Sequence, residues 1–358
     1  MIHPLPLVVL TGFLGAGKTT LLNRLLADEA LSRTLVIINE FGEIPLDHLF
    51  VETLSGDMMM LSSGCLCCTI RGDLASTLES LIERRKNGEI PHIDRIILET
   101  TGLADPAPIL QTIMAHPLLL LHFRLGAVVT LVDAVNGLAT LSQHIEARKQ
   151  VAVADRIVLT KTDLAPLSQE LAAAIASLNP TARRVEAKDA TPPQLLDAGL
   201  YNPETKSPDV RRWLNAEALK DHHHHHHDVN RHNAQIRAFC LTSDAAISPA
   251  SFDIFTQLLR ALHGPNLLRV KGILKMSDQP ESPLVIHAVQ HIFHPPVRLA
   301  QWPDADHQTR IVFIVQNMDP ATIEATWAAF TGTPVTDTAD ADSFANNPLK
   351  MQSGGLLA

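Results

Sequence analysis

The sequence predicts an α/β fold, with a nucleotide-binding domain on a mostly parallel sheet and a smaller α+β domain after it. Two observations carry the first part. Val8 to Thr20, VVLTGFLGAGKTT, runs from an apolar strand through a glycine turn into a helix pattern at Leu21, Leu22, Leu25 and Leu26. Residues 1–200 then alternate continuous apolar runs with amphipathic stretches, the pattern of parallel strands covered on both faces. A third observation carries the second part. Beyond a proline-punctuated break, residues 235–242 alternate like a half-buried strand, and the order of strands and helices after it suggests an antiparallel sheet.

The first turn is the most informative. Gly12, Gly15, Gly17, Lys18 and Thr19 have the G-x-x-x-x-G-K-[ST] spacing of a phosphate-binding P-loop. Glycines let successive N–H groups converge on phosphate oxygens, and the following helix adds its positive end. Lys18 reaches the β- and γ-phosphates, and the Thr19 hydroxyl ligates Mg²⁺. Ala16 and Thr20 complete the loop.

Predicted strands follow at 34–39, 58–61, 95–100, 127–133, 156–160 and 183–186, with helices at 73–86, 143–154 and 168–178. The apolar stretch from Ile113 to Leu121 contains His116 and Pro117 and reads as a helix end and loop. Ligands in such folds bind at the carboxyl ends of the strands, where three further motifs fall. Glu99-Thr100-Thr101-Gly102 offers a carboxylate to hold Mg²⁺ through water and an N–H to touch the γ-phosphate. Lys18, Glu99 and Gly102 are therefore the candidate catalytic set. Thr160-Lys161-Thr162-Asp163 offers a carboxylate to the guanine N1–H and exocyclic amine, a donor pair that adenine lacks, so Asp163 selects GTP. In Asn39-Glu40-Phe41-Gly42-Glu43 and the downstream Asp47, one of Glu40, Glu43 and Asp47 faces Mg²⁺, an attacking water or a transported metal.

Cys65, Cys67 and Cys68 crowd into Gly64-Cys65-Leu66-Cys67-Cys68, directly after a predicted strand. That spacing suits a metal better than a disulfide. Thiolates prefer soft or borderline ions such as Zn²⁺ and Cu⁺, and three ligands with a fourth position open allow exchange. Cys240 stands alone in a later strand and reads as core. The run His222 to His227 lies inside the chain between Asp221 and Asp228, which favours a native metal-gathering loop over a purification tag. His287, His291 and His294 read as surface histidines, with a small cluster across neighbouring strands as the alternative.

The domain boundaries read as 1–200 for the nucleotide domain, 201–233 for a His-rich linker, 234–332 for the second domain and 333–358 for a loosely held tail. Strands are predicted at 235–242, 268–275, 284–291 and 310–316, and helices at 248–262 and 320–330. The formal charge of −9 argues against a nucleic-acid partner. No apolar run approaches the length of a membrane span, and the N-terminus shows no signal-peptide pattern, so the expected compartment is a reducing cytoplasm.

TGFLGAGKTTLLN, NEFGE, GCLCC, ETTGLADPAP, VDA, ADRIVLTKTDL and LLRVKGIL together resemble the CobW-type GTPases, metal-handling P-loop proteins related to the urease and hydrogenase nickel-insertion GTPases. The resemblance runs to about Phe330 in the family's motif order. It implies a GTPase domain with a CobW-type C-terminal domain, and slow GTP hydrolysis coupled to delivery of a metal, commonly Zn²⁺, to a client metalloprotein. It assigns the phosphate roles to Gly15, Gly17, Lys18, Thr19 and Thr20, the Mg²⁺ role to Glu99, the guanine role to Lys161 and Asp163, and the metal role to Cys65, Cys67 and Cys68. Pro45 departs from the family pattern and stiffens the segment after NEFGE. An accessory GTPase of cobalamin or other metallocofactor assembly, with cobalt or nickel as cargo, is the second reading. A nucleotide-insensitive zinc store is the third. A homodimer is compatible with each.

Overall fold

The computed structural model describes residues 4–39, 51–55, 58–61, 66–69, 74–196 and 236–331. Glu40, Glu43, Pro45, Asp47, Cys65, the run His222 to His227 and the tail 333–358 lie outside them.

The chain opens with β1 (Leu5–Gly12) and α1 (Lys18–Leu26), then runs through β2 (Thr34–Asn39), β3 (Val51–Ser55), β4 (Met58–Leu61), β5 (Leu66–Thr69), α2 (Leu74–Lys86) and β6 (Arg95–Thr100). Next come α3 (Pro106–Ala115), α4 (Pro117–His122), β7 (Phe123–Asp133), α5 (Gly137–Gln143), α6 (Ile145–Ala152), β8 (Arg156–Thr160), α7 (Gln169–Leu178), β9 (Arg183–Glu186) and the short α8 (Pro192–Leu196). Their strands form one sheet in the order β3-β4-β5-β2-β6-β1-β7-β8-β9. From β5 to β9 all neighbours are parallel, while β3 and β4 pair antiparallel at one edge.

β1 sits near the middle, and its period of two divides the core. Leu7 and Val9 join Leu78 of α2 and Leu110 of α3, whereas Val8 and Leu10 join Leu21, Leu22 and Leu25 of α1. A strand buried on both faces must be apolar at every position. Truncating a fully buried residue such as Leu78 to alanine should cost about 2–5 kcal/mol.

The second unit contains β10 (Ile236–Ser243), α9 (Pro249–His263), β11 (Leu267–Leu274), β12 (Leu284–Val289), β13 (Ile292–Phe293), β14 (Val297–Arg298), β15 (Thr309–Gln316) and α10 (Pro320–Thr331). Its antiparallel sheet has the order β10-β15-β11-β12-β13, with β14 beside β12. On one face Phe239, Val270 and Phe313 pack against Phe252 and Phe255 of α9 and Trp327 of α10. The other face meets the first domain, where Leu268 and Ile314 close over Ala152.

Besides elements not anticipated, such as β3, α5 and α8, the structure departs from the stated expectations at these places. The stretch after His116 is a new helix, α4, because Pro117 forces His116 to be extended and then starts a helical turn. β7 begins at Phe123 rather than Ala127. The single helix predicted over 143–154 is broken at His144, which is extended and stacks on Phe13 of the P-loop with ring centroids 4.4 Å apart. Finally, Cys67 and Cys68, expected only to follow a strand, lie within one themselves. In β5, Cys67 pairs with Val36 of β2 and Met59 of β4, and Cys68 with Ile37 and Met58.

Candidate nucleotide site

The turn after β1 is shaped for an anion. Gly15 (φ 70°) and Gly17 (φ 87°) occupy the left-handed region, which turns successive N–H groups to one side. Gly17 is the N-cap of α1 and offers no side-chain cap, so the first-turn N–H groups have no side-chain acceptor there. Lys18 is buried, and its Nζ donates to the Gly12 carbonyl at 3.0 Å and the Phe13 carbonyl at 3.3 Å. Thr19 and Thr20 are exposed at the mouth of the loop.

β6, next to β1, delivers the second group. Glu99 is 1% exposed, and its Oε1 accepts a hydrogen bond from Thr19 Oγ1 at 3.1 Å. One position on, Thr100 Oγ1 donates to Thr11 Oγ1 at 2.8 Å and locks the ends of the two strands together. Gly102 follows so close to the P-loop that a Cβ there would lie 2.6 Å from the Leu14 nitrogen. Only glycine fits.

α6 holds this second loop from the side. Gln150 is buried, and its Nε2 donates to the carbonyls of Gly102 (3.1 Å) and Ala104 (3.0 Å). Lys149 Nζ reaches Asp105 Oδ2 at 2.7 Å. Asp105 Oδ1 accepts from the Ala107 N–H at 3.0 Å, and with Pro106 it starts α3.

The third group follows β8. Thr160 Oγ1 donates to the Ala16 carbonyl at 2.8 Å and ties this strand to the P-loop. Lys161 is left-handed at φ 56°, and its Nζ lies 2.5 Å from Asp133 Oδ2. Burial opposes the charge on Asp133. The Lys161 hydrogen bond and the N–H groups of Val135 and Asn136 outweigh that, holding the carboxyl below its usual range. Asp163 is exposed beyond the turn. A cleft of about 250 Å³ runs from Phe13 and Leu14 past Thr130 and Gln150 to Asp133 and Lys161.

Gly12, Gly15, Ala16, Gly17, Lys18, Thr19, Glu99, Gly102 and Lys161 thus converge at the carboxyl ends of β1, β6 and β8, with Thr20 and Asp163 on the rim. Sequence reasoning missed Asp133 and Gln150. Asp133 had a signal in Val132-Asp133-Ala134 at a strand end, whereas Gln150 looks like any polar residue in a helix. Cys240 is half-buried beside the Ile273 and Val312 cluster. His287 and His294 stack at 4.5 Å, with His287 buried, while His291 is exposed. Among the described residues no three His, Cys, Asp or Glu side chains are grouped to hold a metal ion. No helix among them is long and apolar enough to cross a membrane.

Comparison with known proteins places this geometry. The family profile described as CobW/HypB/UreG, nucleotide-binding domain, matches residues 6–186, and that of the cobalamin synthesis protein cobW C-terminal domain matches 236–331. The Escherichia coli zinc chaperone YjiA is 40% identical over 177 residues, which take in 49% of this chain and 55% of that protein. The Pseudomonas aeruginosa zinc chaperone CobW is 28% identical over 353 residues, 89% of each chain. The crystal structure of Zn(II)-bound YjiA GTPase from E. coli superposes with a TM-score of 0.71 at 29% identity, covering 92% of this chain and 99% of that one.

Proposed function

The chain belongs to the CobW/HypB/UreG family of nucleotide-binding domains, and from that premise we propose that it is a GTP-hydrolysing metallochaperone. In this reading it binds zinc at Cys65, Cys67 and Cys68 and couples GTP binding and hydrolysis to delivery of the metal to a client metalloprotein in the cytoplasm. The metal is cargo, and the nucleotide times its release.

The observation that carries the reading is the meeting of Lys18, Thr19, Glu99 and Gly102 around one glycine-lined turn. Gly12, Gly15, Ala16, Gly17 and Thr20 cradle the phosphates by backbone and hydroxyl groups, and Lys18 supplies the positive charge. The Thr19 hydroxyl and Glu99 carboxylate are hard oxygen donors 3.1 Å apart, a set that fits Mg²⁺. When bound, that ion would neutralise charge on the phosphate oxygens. Gly102 presents its N–H where a γ-phosphate would end, and Asp163 with Lys161 holds guanine. Water attacks the γ-phosphorus, the bond to the bridging oxygen breaks, and GDP and phosphate leave. None of these residues is a strong base, so turnover is slow until a client assists it.

The zinc role is supported by the names of the relatives and by the backbone of β5. That strand carries Cys67 and Cys68 beside β2, which in turn lies beside the strand of Glu99. A zinc titration against a competing chelator, run with GDP and with a non-hydrolysable GTP analogue, tests the proposal. A shift of about tenfold, or about 1.4 kcal/mol, that disappears in Cys67→Ser is the expected outcome. Equal zinc affinity in both nucleotide states would overturn it.

A further inference from the structure

Two helices leave the neighbourhood of the Gly102 loop, and both run to the second domain. α3 starts at Asp105, and its Gln111 hydrogen-bonds Gln290 at the turn between β12 and β13. Val289 and Ile292, which flank that turn, pack with the Ile109, Leu110 and Ile113 cluster. α6 grips the loop through Gln150 and Lys149. Its far end is equally fixed. Asn179 Nδ2 donates to the carbonyls of Val151, Ala152 and Ala154, and the chain then reaches Asp155.

Asp155 is 2% exposed and anchors the interface between domains. Its Oδ1 lies 2.8 Å from Arg269 Nη2 and 2.6 Å from Lys271 Nζ, both on β11 and both buried, while its Oδ2 accepts from the Val128 N–H. Buried ions of this kind fix a register, because a displaced partner leaves an uncompensated charge.

We propose that Gln150 is a positioning residue that makes α6 follow the Gly102 loop, so that the nucleotide state is transmitted through α3 and α6 to β11, β12 and β13 of the second domain. The proposal rests on the GTP reading above. Gln150 has two amide protons and no solvent to replace the carbonyls of Gly102 and Ala104. If the loop moves when its γ-phosphate contact is made or lost, the helix must move with it or leave buried donors unmade. At its other end the helix cannot shift without carrying the Asp155 cluster and the apolar contact of Ala152 with Leu268. The second domain therefore reports on the phosphate.

Hydrogen exchange of the full chain, with GDP and with a non-hydrolysable GTP analogue, tests this. In the unmodified protein, exchange in β11, β12 and β13 should differ between the two nucleotides by about fivefold or more. Gln150→Met keeps the side-chain length but removes the donors; with each nucleotide held at a saturating concentration, it should lose that difference. Lys149→Met, at a partly exposed pair, should reduce the difference and alone decides the matter if Gln150→Met does not fold. A purely structural Gln150 would lower the melting temperature equally with either nucleotide and leave the difference intact. That result, or an unmodified protein that binds both nucleotides with identical exchange, overturns the proposal while the GTP reading stands. A chain that binds no guanine nucleotide overturns both.

Discussion

Thr19 donates its hydroxyl proton to Glu99 at 3.1 Å, although the two residues are 80 positions apart in the chain. The contact exists because β1 and β6 are parallel neighbours in register, with Leu10 opposite Glu99. It places a hydroxyl and a carboxylate at the mouth of the P-loop.

Glu99→Gln should therefore slow GTP hydrolysis by about 10² or more and leave GDP binding nearly unchanged. Single-turnover hydrolysis beside equilibrium binding of a fluorescent nucleotide measures both. An undiminished rate would remove Glu99 from the catalytic set.

Asp163→Ala should weaken GTP binding by about 10- to 100-fold, the worth of hydrogen bonds to a charged acceptor, and leave ATP binding as weak as before. Competition between the two nucleotides checks it. Because Asp163 is exposed, the variant should fold as well as the parent, and the loss can be read as recognition.

Stability should fall as the pH drops below about 6.5. Burial is the main reason that the folded His287 resists protonation, and the neighbouring His294, Arg269 and Lys271 add to it; burial lowers His294 as well. Unfolded histidines take up protons there while the folded pair does not, so the unfolded state gains, by up to about 1.4 kcal/mol per pH unit for each group. The effect is absent above the ordinary histidine range and grows as the pH falls toward the folded values. Thermal unfolding between pH 5 and 7 should show a flatter slope in His287→Leu; an unchanged slope would refute the assignment. Lys271, lowered to about 8 chiefly by burial, acts in a separate window, adding stability as the pH rises from about 8 toward 10.5.

Asp155→Ala should cost about 3–5 kcal/mol, because it strands Arg269 and Lys271 in the interface. Replacing all three by apolar residues of similar size should recover most of that loss. Denaturant unfolding of the single and triple variants separates the two. A cost below about 1 kcal/mol for the single change would show that the cluster behaves as a solvated surface pair.

Much of the first domain was legible because its central strands β1, β6, β7 and β8 are buried on both faces and therefore largely apolar. β2, β4, β6, β8 and β9 have the predicted bounds. The P-loop was legible because its glycines serve backbone geometry, which leaves a local spacing. Contacts made in three dimensions left no such mark. His144 breaks a helix to stack on Phe13, and nothing in its own neighbourhood requires that. Arg269 and Lys271 look like the solvated face of an alternating strand. Their partner lies 114 positions before Arg269, and only the assembled sheets show that the cations are buried. Similarly, β5 is a strand because β2 and β4 flank it, and nothing within its own thiol-rich sequence marks it as one.

The central place of β1 also has a consequence for how the chain is made. Leu7 pairs with Ile96 on one side and Leu5 with Phe123 on the other. A nascent chain emerging from the ribosome carries this apolar strand long before either partner has been synthesised. The sheet closes around it late, and such non-local pairing is intrinsically slow and exposed to aggregation. The nucleotide pocket therefore forms only after β6, β7 and β8 have joined β1. Guanine nucleotide added to a translating or refolding chain should act after the sheet closes, capturing the finished domain rather than guiding its assembly.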